Sequence, residues 1–296
     1  MKRLIAMAAT LAALTTACAG SGAQPLGPAP SNEPSPTPSS STSPIGTPTS
    51  PSPSPSPIPT RSMTYEVWFN YDGYLFLSHR TEPFVPAVGA VSVEAVLDGP
   101  TNAESVAGVN SAITPGSDLL SLLIDDGVAT VNLSEAFTSE ETPAIAVGSL
   151  SQIVYTLTQF DSIDGVLFEV GGTRLTNFGG YGLDGPQRRA SFADQLPAIL
   201  VQSPGIGERV SSPVTISGSA DVFEAVVSIA ILDEHRHTVA SSFTMATCGT
   251  GCRGSYATDV RYHVGTRQPG TIRVYEVSAK DGSPLHVVEI PVILTP

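Results

Sequence analysis

Cys248 and Cys252 lie four residues apart in the stretch TMATCGTGCRGSY (244–256), with Gly249 and Gly251 between them, and are two of the chain's 3 cysteines. Three chemistries fit two thiols at this spacing. A structural zinc site tolerates it but needs four ligands, so His235, His237 or His263 would have to converge from separate segments. Free thiols ask nothing of the loop. A disulfide asks only that the loop bend, which the two glycines allow. Outside the cytosol the oxidised pair is the expected state, so the compartment decides between them.

Other chemistry-bearing patterns are weaker. Residues 180–185, GYGLDG, match G-x-G-x-x-G, but a dinucleotide site needs a preceding strand and a following helix. Here Pro186 and Gln187-Arg188-Arg189 follow, and the stretch reads as a loop. DSIDG (161–165) and Asp125-Asp126-Gly127 lack the alternating oxygen ligands and distal Glu of a calcium loop, and read as turns. His235-Arg236-His237 sits where a hairpin should turn. There is no G-x-S-x-G elbow, H-E-x-x-H helix or P-loop. A Ser-His-Asp set assembled by the fold is left open by that absence, but no catalytic residue, metal ligand or cofactor site is assigned, and the chain reads as non-enzymatic.

The compartment is read from the other end. MKRLIAMAATLAALTTACAG carries Lys2 and Arg3, an apolar run from Leu4 to about Leu14, then small residues before Cys18. The run is too short for a permanent membrane helix, which needs about 20 apolar residues, and has the shape of an export signal over 1–17. LTTAC resembles the lipobox of bacterial lipoproteins, whose cysteine is lipidated after cleavage. Ala17 and Thr16 fit, whereas Thr15 stands where Leu, Val or Ile is usual. The resemblance implies acylation at Cys18 (a palmitate-type anchor) on the extracytoplasmic face of the cell membrane. More than one acyl chain would make that anchor stable. With Cys18 so used, an even pair of cysteines remains in an oxidising compartment, and Cys248–Cys252 is expected to be a disulfide.

Residues 18–62 are nearly all Pro, Ser, Thr, Gly and Ala, with Glu33 and Arg61 as the only charges. Such a segment has too little apolar surface to offset the entropy of folding and is expected to be a disordered tether. At ~3.1 Å per residue in polyproline conformers it would reach roughly 130 Å. Beyond it the charge is uneven: residues 63–197 hold 17 Asp/Glu against 4 Lys/Arg, and 198–296 hold 9 against 7. An acidic surface of this kind repels nucleic acid and favours basic partners or cations.

In 63–197, TYEVWFN and YLFLSH flank Tyr71-Asp72-Gly73 as a hairpin, and DLLSLLI and VATVNLS flank Asp125-Asp126-Gly127 as another. Between them a helix should run through VPAVGAVSVEAVL, with Val88, Val91, Ala95 and Val96 on its buried face and Gly99-Pro100 as its stop. Thr101-Asn102-Ala103-Glu104 has capping-box spacing. A longer helix is expected over about 141–159, burying Leu150, Ile153, Val154 and Leu157, before GVLFEV and TRLTN pair around Gly171-Gly172. This is an α+β plan with helices on one sheet face. In 198–296 seven strand-like segments, from AILVQSP to HVVEIPVI, alternate with turns, which argues for an antiparallel β-sandwich. The third of them is apolar on both faces (Val226, Ser228, Ala230; Val227, Ile229, Ile231), as a central strand would be.

The run LDGPTNAESVAGVNSAITPGSDLLSLLIDDGVATVNLSEAF with QIVYTLTQFDSIDGVLFEVGG resembles the GerMN domain of bacterial sporulation and germination proteins. VQSPGIGERVSSPVTISGSADVFEAVVSIAILDE, with TCGTGCRGSY and YEVSAKDGSPLHVVEIPV, resembles the immunoglobulin-like domain of bacterial spore germination. The resemblance implies a GerMN-like α+β module, similar to the ring-building modules of secretion machines, over 63–197 and an immunoglobulin-like sandwich over 198–296. It also implies an assembly or scaffolding role without a catalytic set. The expected partners are the membrane, through lipid, and envelope proteins or cell-wall polymer. A rival expectation is a ligand-binding accessory protein for a membrane sensor or transporter, which a deep pocket between the modules would favour.

Overall fold

The computed structural model describes residues 61–296. The signal sequence, Cys18 and all but the last two residues of the tether lie outside the described residues.

The first module opens with β1 (Ser62–Tyr71) and β2 (Tyr74–Pro83), paired antiparallel along their whole length. Asp72 (φ 50°) and Gly73 (φ 81°) supply the left-handed pair that a two-residue hairpin turn requires. α1 (Val88–Leu97) and the short α2 (Asn102–Val106) follow. Next come β3 (Leu119–Asp125) and β4 (Val128–Leu133), joined by a second left-handed pair at Asp126 and Gly127. α3 (Pro143–Leu157) then crosses to β5 (Gly165–Val170). β6 (Thr173–Arg174), β7 (Asn177–Phe178) and β8 (Tyr181–Gly182) are two-residue strands.

Two details differ from the sequence expectation. The hairpins do not form one sheet: β1–β2 stands as its own ribbon, and the second sheet has the order β3-β4-β5-β6, with β4 and β5 parallel. α1 touches β1 and β3, and α3 touches β1 and β5, so both helices lie between ribbon and sheet rather than on one face. That accounts for α3, whose stripe of Leu150, Ile153, Val154 and Leu157 is buried together with Ser149, Ser151, Gln152 and Thr156. The polar members are satisfied locally or across the layer: Gln152 Nε2 donates to the Trp68 carbonyl at 3.1 Å, and Trp68 N–H donates to Thr156 Oγ1 at 3.1 Å. The buried face of α1 is Gly89, Ser92, Val93 and Val96. Val88, Val91 and Ala95 are only partly buried, because a second layer on one flank rotates the covered stripe. The helix stop and the capping box stand where the sequence places them.

The second module comprises β9 (Ile199–Ser203), β10 (Arg209–Val210), β11 (Val214–Ala220), β12 (Val226–Leu232), β13 (Thr238–Met245), β14 (Gly254–Val260), β15 (Gln268–Val277) and β16 (Pro284–Leu294). They form sheets of order β10-β16-β15-β12-β13 and β14-β11-β9. All seven expected strands are present, and β12 is flanked on both sides. The short β10, which runs parallel to β16, left no apolar run in the sequence. Val227, Ile229, Ile231, Ile272, Val274 and Ile290 fill the core from the larger sheet. Tyr256, in the smaller one, donates its hydroxyl to the Leu200 carbonyl at 3.1 Å, and burial pushes that hydroxyl's pKa far up. Tyr262 places its hydroxyl 2.6 Å from the Val210 carbonyl and 3.1 Å from that of Thr295, tying β10 to the chain end.

The two modules are packed together, and the described residues fall in one compact unit. Leu75 and Phe76 of β2 meet Ile199, Leu200 and Val201 of β9 and Val288 of β16, and the buried apolar side chains of both modules make one continuous cluster.

Candidate interaction surfaces

The most tightly built polar cluster of the first module is structural. Glu104 closes the capping box, accepting from Thr101 N–H at 2.6 Å while Thr101 Oγ1 accepts from Glu104 N–H at 3.3 Å. Its carboxylate also receives both Arg80 amino groups, at 2.9 and 2.8 Å, and the Ser78 hydroxyl. The Glu104 side chain is 5% exposed and that of Arg80 16%. Burial alone would raise the Glu104 pKa, but the hydrogen bonds from Arg80, Ser78 and Thr101 outweigh it and hold the carboxyl below its ordinary value.

A second cation lies over aromatic rings. The Arg189 guanidinium sits 4.8 Å from the Tyr155 ring centroid and 5.6 Å from that of Trp68. It donates to Thr158 Oγ1 at 2.9 Å and to the Tyr155 carbonyl at 3.0 Å. Trp68, the single tryptophan, is buried and packs against Tyr155, as a strand-packing residue should.

Beside these residues, the seam between the modules opens into a cleft of about 690 Å³ lined by Tyr71, Tyr74, Asp194, Asp221, Arg253 and His286 among others. Arg253 is held by oxygen atoms alone, donating to the Pro197 carbonyl at 2.5 Å and to Ser219 Oγ at 3.2 Å. Burial pulls its pKa down, partly offset by Asp221.

On the far side of the first module β3 is an edge strand, and its Leu120, Leu123 and Ile124 are 53%, 65% and 45% exposed. Asp118 precedes the strand, Asp125 ends it and Asp126 follows. None of the three has an ion-pair partner among the described residues. A contiguous exposed apolar edge is costly in water unless something covers it.

The residues singled out from sequence fall out as follows. Cys248 and Cys252 are bridged, with Cα atoms 5.7 Å apart, in a loop whose Thr250 N–H donates to the Val222 carbonyl at 3.0 Å. His235 and His237 flank Arg236 (φ 66°) in the exposed β12–β13 turn, where Asp233 Oδ1 accepts from the backbone N–H of both histidines. His263 lies elsewhere on the surface. No serine hydroxyl is hydrogen-bonded to these three imidazoles, and no group of three potential metal ligands forms, among the described residues. Arg236 instead clasps Glu289 through bonds of 2.9 and 2.7 Å, and these together with Arg273 hold the Glu289 carboxyl below its ordinary pKa despite partial burial. GYGLDG contributes Tyr181–Gly182 to a hairpin of two-residue strands, and the helical turn that follows at Arg189–Gln195 is 3-10 and begins only after Pro186 to Arg188, not the helix that a dinucleotide loop opens. Asp126-Gly127 is a hairpin turn, and DSIDG leads into β5. Sequence reading missed the Arg80–Glu104 pair, the Arg189 stack and the exposed β3 edge. Only the last left a signal, a run of four leucines and an isoleucine with little polar alternation.

Comparison with known proteins gives two matches to family models. Residues 76–176 match the model described as sporulation and spore germination, and residues 198–283 match the immunoglobulin-like domain of bacterial spore germination. No curated protein matches the chain significantly. Among solved structures, the first GerMN domain of the sporulation protein GerM from Bacillus subtilis is 19% identical, with 43% of this chain and 98% of that one covered and a TM-score of 0.39. The tandem GerMN domains of the same protein are 13% identical over 79% of this chain and 60% of that one, with a TM-score of 0.40. CopC from Methylosinus trichosporium OB3b is 17% identical over 33% of this chain and 94% of that one, with a TM-score of 0.23. At these values the structural likenesses carry no argument, and the assignment rests on the two family models. Neither model's description names a catalytic activity.

Proposed function

We propose that this chain, in which a GerMN-like sporulation and spore germination domain precedes an immunoglobulin-like domain of bacterial spore germination, is a non-enzymatic cell-envelope lipoprotein. In this reading lipid on Cys18 holds it to the extracytoplasmic face of the membrane, and the Pro/Ser/Thr-rich segment carries the paired modules into the wall space. There they bind envelope proteins in a sporulation- or germination-related assembly. The observation that carries the reading is the exposed apolar edge Leu120, Leu123, Ile124, set among aspartates that have no ion-pair partner among the described residues, on an acidic module. The LTTAC sequence and the bridged cysteines support the location.

In-cell crosslinking of the full chain with mass spectrometry of the captured proteins tests the binding half. One or more salt-sensitive partners are expected, and consistent failure to capture any protein refutes it. Radiolabelled palmitate incorporation tests the anchor: label should enter the wild type and not Cys18→Ser, and an unlabelled wild type refutes it.

A second reading, a ligand-binding accessory protein, is favoured by the cleft at the seam, with Tyr71 and Tyr74 on one wall and Arg253 on another. Titrating a soluble muropeptide against the fluorescence of nearby Trp68 tests it: a saturable change that Arg253→Ala abolishes supports the cleft as its site, and no saturable change refutes this reading.

A further inference from the structure

We propose that the open edge of β3 accepts one extended segment of a partner protein, a short apolar stretch flanked by lysine or arginine, as an added antiparallel strand. This rests on the reading that the module binds proteins, and it names the surface and the chemistry of the partner.

The register sets out what the edge offers. β3 pairs with β4 as Asp125–Val128, Leu123–Thr130 and Ser121–Asn132 around a two-residue turn, so these are the hydrogen-bonded pairs of the ladder. The alternate residues, Leu122 and Ile124, therefore point their N–H and C=O groups away from β4. Neither residue has another backbone partner among the described residues. An incoming strand finds two donors and two acceptors already aligned, the geometry by which extended peptides add to sheets.

The side chains beside those groups are apolar on both faces. Leu123 stands on the outer face in a row with Thr130 and Leu167. Leu122 and Ile124 lie on the helix side next to Gly89 of α1, yet Ile124 remains 45% exposed because the helix stops short of the edge. A bulge between Leu119 and Ser121 ends the regular ladder, which limits the added strand to about four or five residues.

Charge selects the occupant. Asp118 at one end and Asp125 and Asp126 at the other bracket the apolar stretch, in a module with 17 acidic against 4 basic residues. A second copy pairing antiparallel through its own β3 would set Asp118 of each copy against Asp125 or Asp126 of the other, a like-charge arrangement that destabilises strand pairs. A segment with cations at both ends meets carboxylates at both ends instead.

The test uses the full chain carrying Cys18→Ser and a fluorescent synthetic peptide of five alternating valines and threonines, bracketed by two lysines at each end. A glutamate-bracketed peptide is the control. The lysine peptide is expected to bind at least about tenfold more tightly than the control, more weakly in higher salt, and to slow hydrogen exchange at the Leu122 and Ile124 amides. Ile124→Pro removes an outward-facing donor and no ladder bond, and should lower affinity at least about tenfold. Should that variant fail to fold, the pair Asp118→Lys and Asp125→Lys decides, because it should reverse the preference between the peptides. Equal binding of both peptides, protection at other amides, wild-type affinity in a folded Ile124→Pro protein, or an unchanged preference after charge reversal each overturn the proposal. Cells separate this failure from that of the scaffold reading. A partner captured equally by wild type and Ile124→Pro leaves the scaffold standing and removes the edge, whereas no capture by either removes the scaffold.

Discussion

Breaking the Arg80–Glu104 pair one side at a time should cost far more than removing both sides together. Arg80→Met leaves a carboxylate that is 5% exposed with only Ser78 and the Thr101 N–H for company. Stranding one member of a buried pair costs about 3–5 kcal/mol. Glu104→Leu leaves a guanidinium that is 16% exposed and still faces the Phe69 ring at 5.4 Å. That gentler loss is joined by about 1 kcal/mol for the lost bond from the Thr101 N–H, while Thr101 Oγ1 still caps the N–H of residue 104. With both replaced no charge is left stranded, and the double variant should fall short of the summed losses by about 2–3 kcal/mol. Urea unfolding followed by Trp68 fluorescence reads the cycle in the module that holds the pair.

The pair also has a pH signature. Because the folded carboxyl titrates below its ordinary value, its contribution is complete above the unfolded pKa of about 4.3 and fades as pH falls through the lower native value. The gap between wild type and Arg80→Met should therefore shrink below about pH 4. Additive single losses, or losses under about 1 kcal/mol each, would show that water solvates the pair and that the burial argument is wrong.

Three further outcomes follow from the second module. Replacing Cys248 and Cys252 with serine opens a ring with a sequence separation of only 4. Loop-closure entropy limits the loss to about 2 kcal/mol, so unfolding curves should shift modestly while hydrogen exchange rises around Gly251. Gly218→Ala would place a Cβ 1.9 Å from the Leu200 carbonyl and 2.8 Å from the Tyr256 hydroxyl. β9 must shift to relieve that clash, at a cost of about 3 kcal/mol or more, visible as a lowered melting temperature. Tyr262→Phe removes the donor shared by the Val210 and Thr295 carbonyls, although Val210 keeps the Thr295 N–H and Oγ1, so it costs about 1 kcal/mol and should raise trypsin cleavage after Arg209 in β10.

Features that depend on near neighbours were legible in the sequence. Asp72-Gly73 and Asp126-Gly127 are turns because their residue types tolerate positive φ, and Thr101 to Glu104 is a cap because the reach is three residues. The seven strands of the second module show as apolar alternation between turn residues. What escaped was set by partners far along the chain. Nothing around Arg80 announces Glu104, and nothing around Arg189 announces Trp68, since only the packed layers bring them together. The parallel pairing of β4 with β5 was hidden for the same reason, and with it the second layer that turned α1 by one position and enclosed α3. The β3 edge was written in its leucines, but a fully covered strand would read the same way, and only the position of β3 in its sheet distinguishes the two.

The seam between the modules has a consequence for inheritance. Leu75 and Phe76 are buried where β2 meets β9, and Ile199 and Leu200 are buried from the opposite side. A recombination event that carried either half into a new gene would deliver a protein with an oily wound, prone to clump until substitutions healed it. The two halves are thus expected to travel through genomes as a couple, and where one is found alone the residues at these positions should have turned polar.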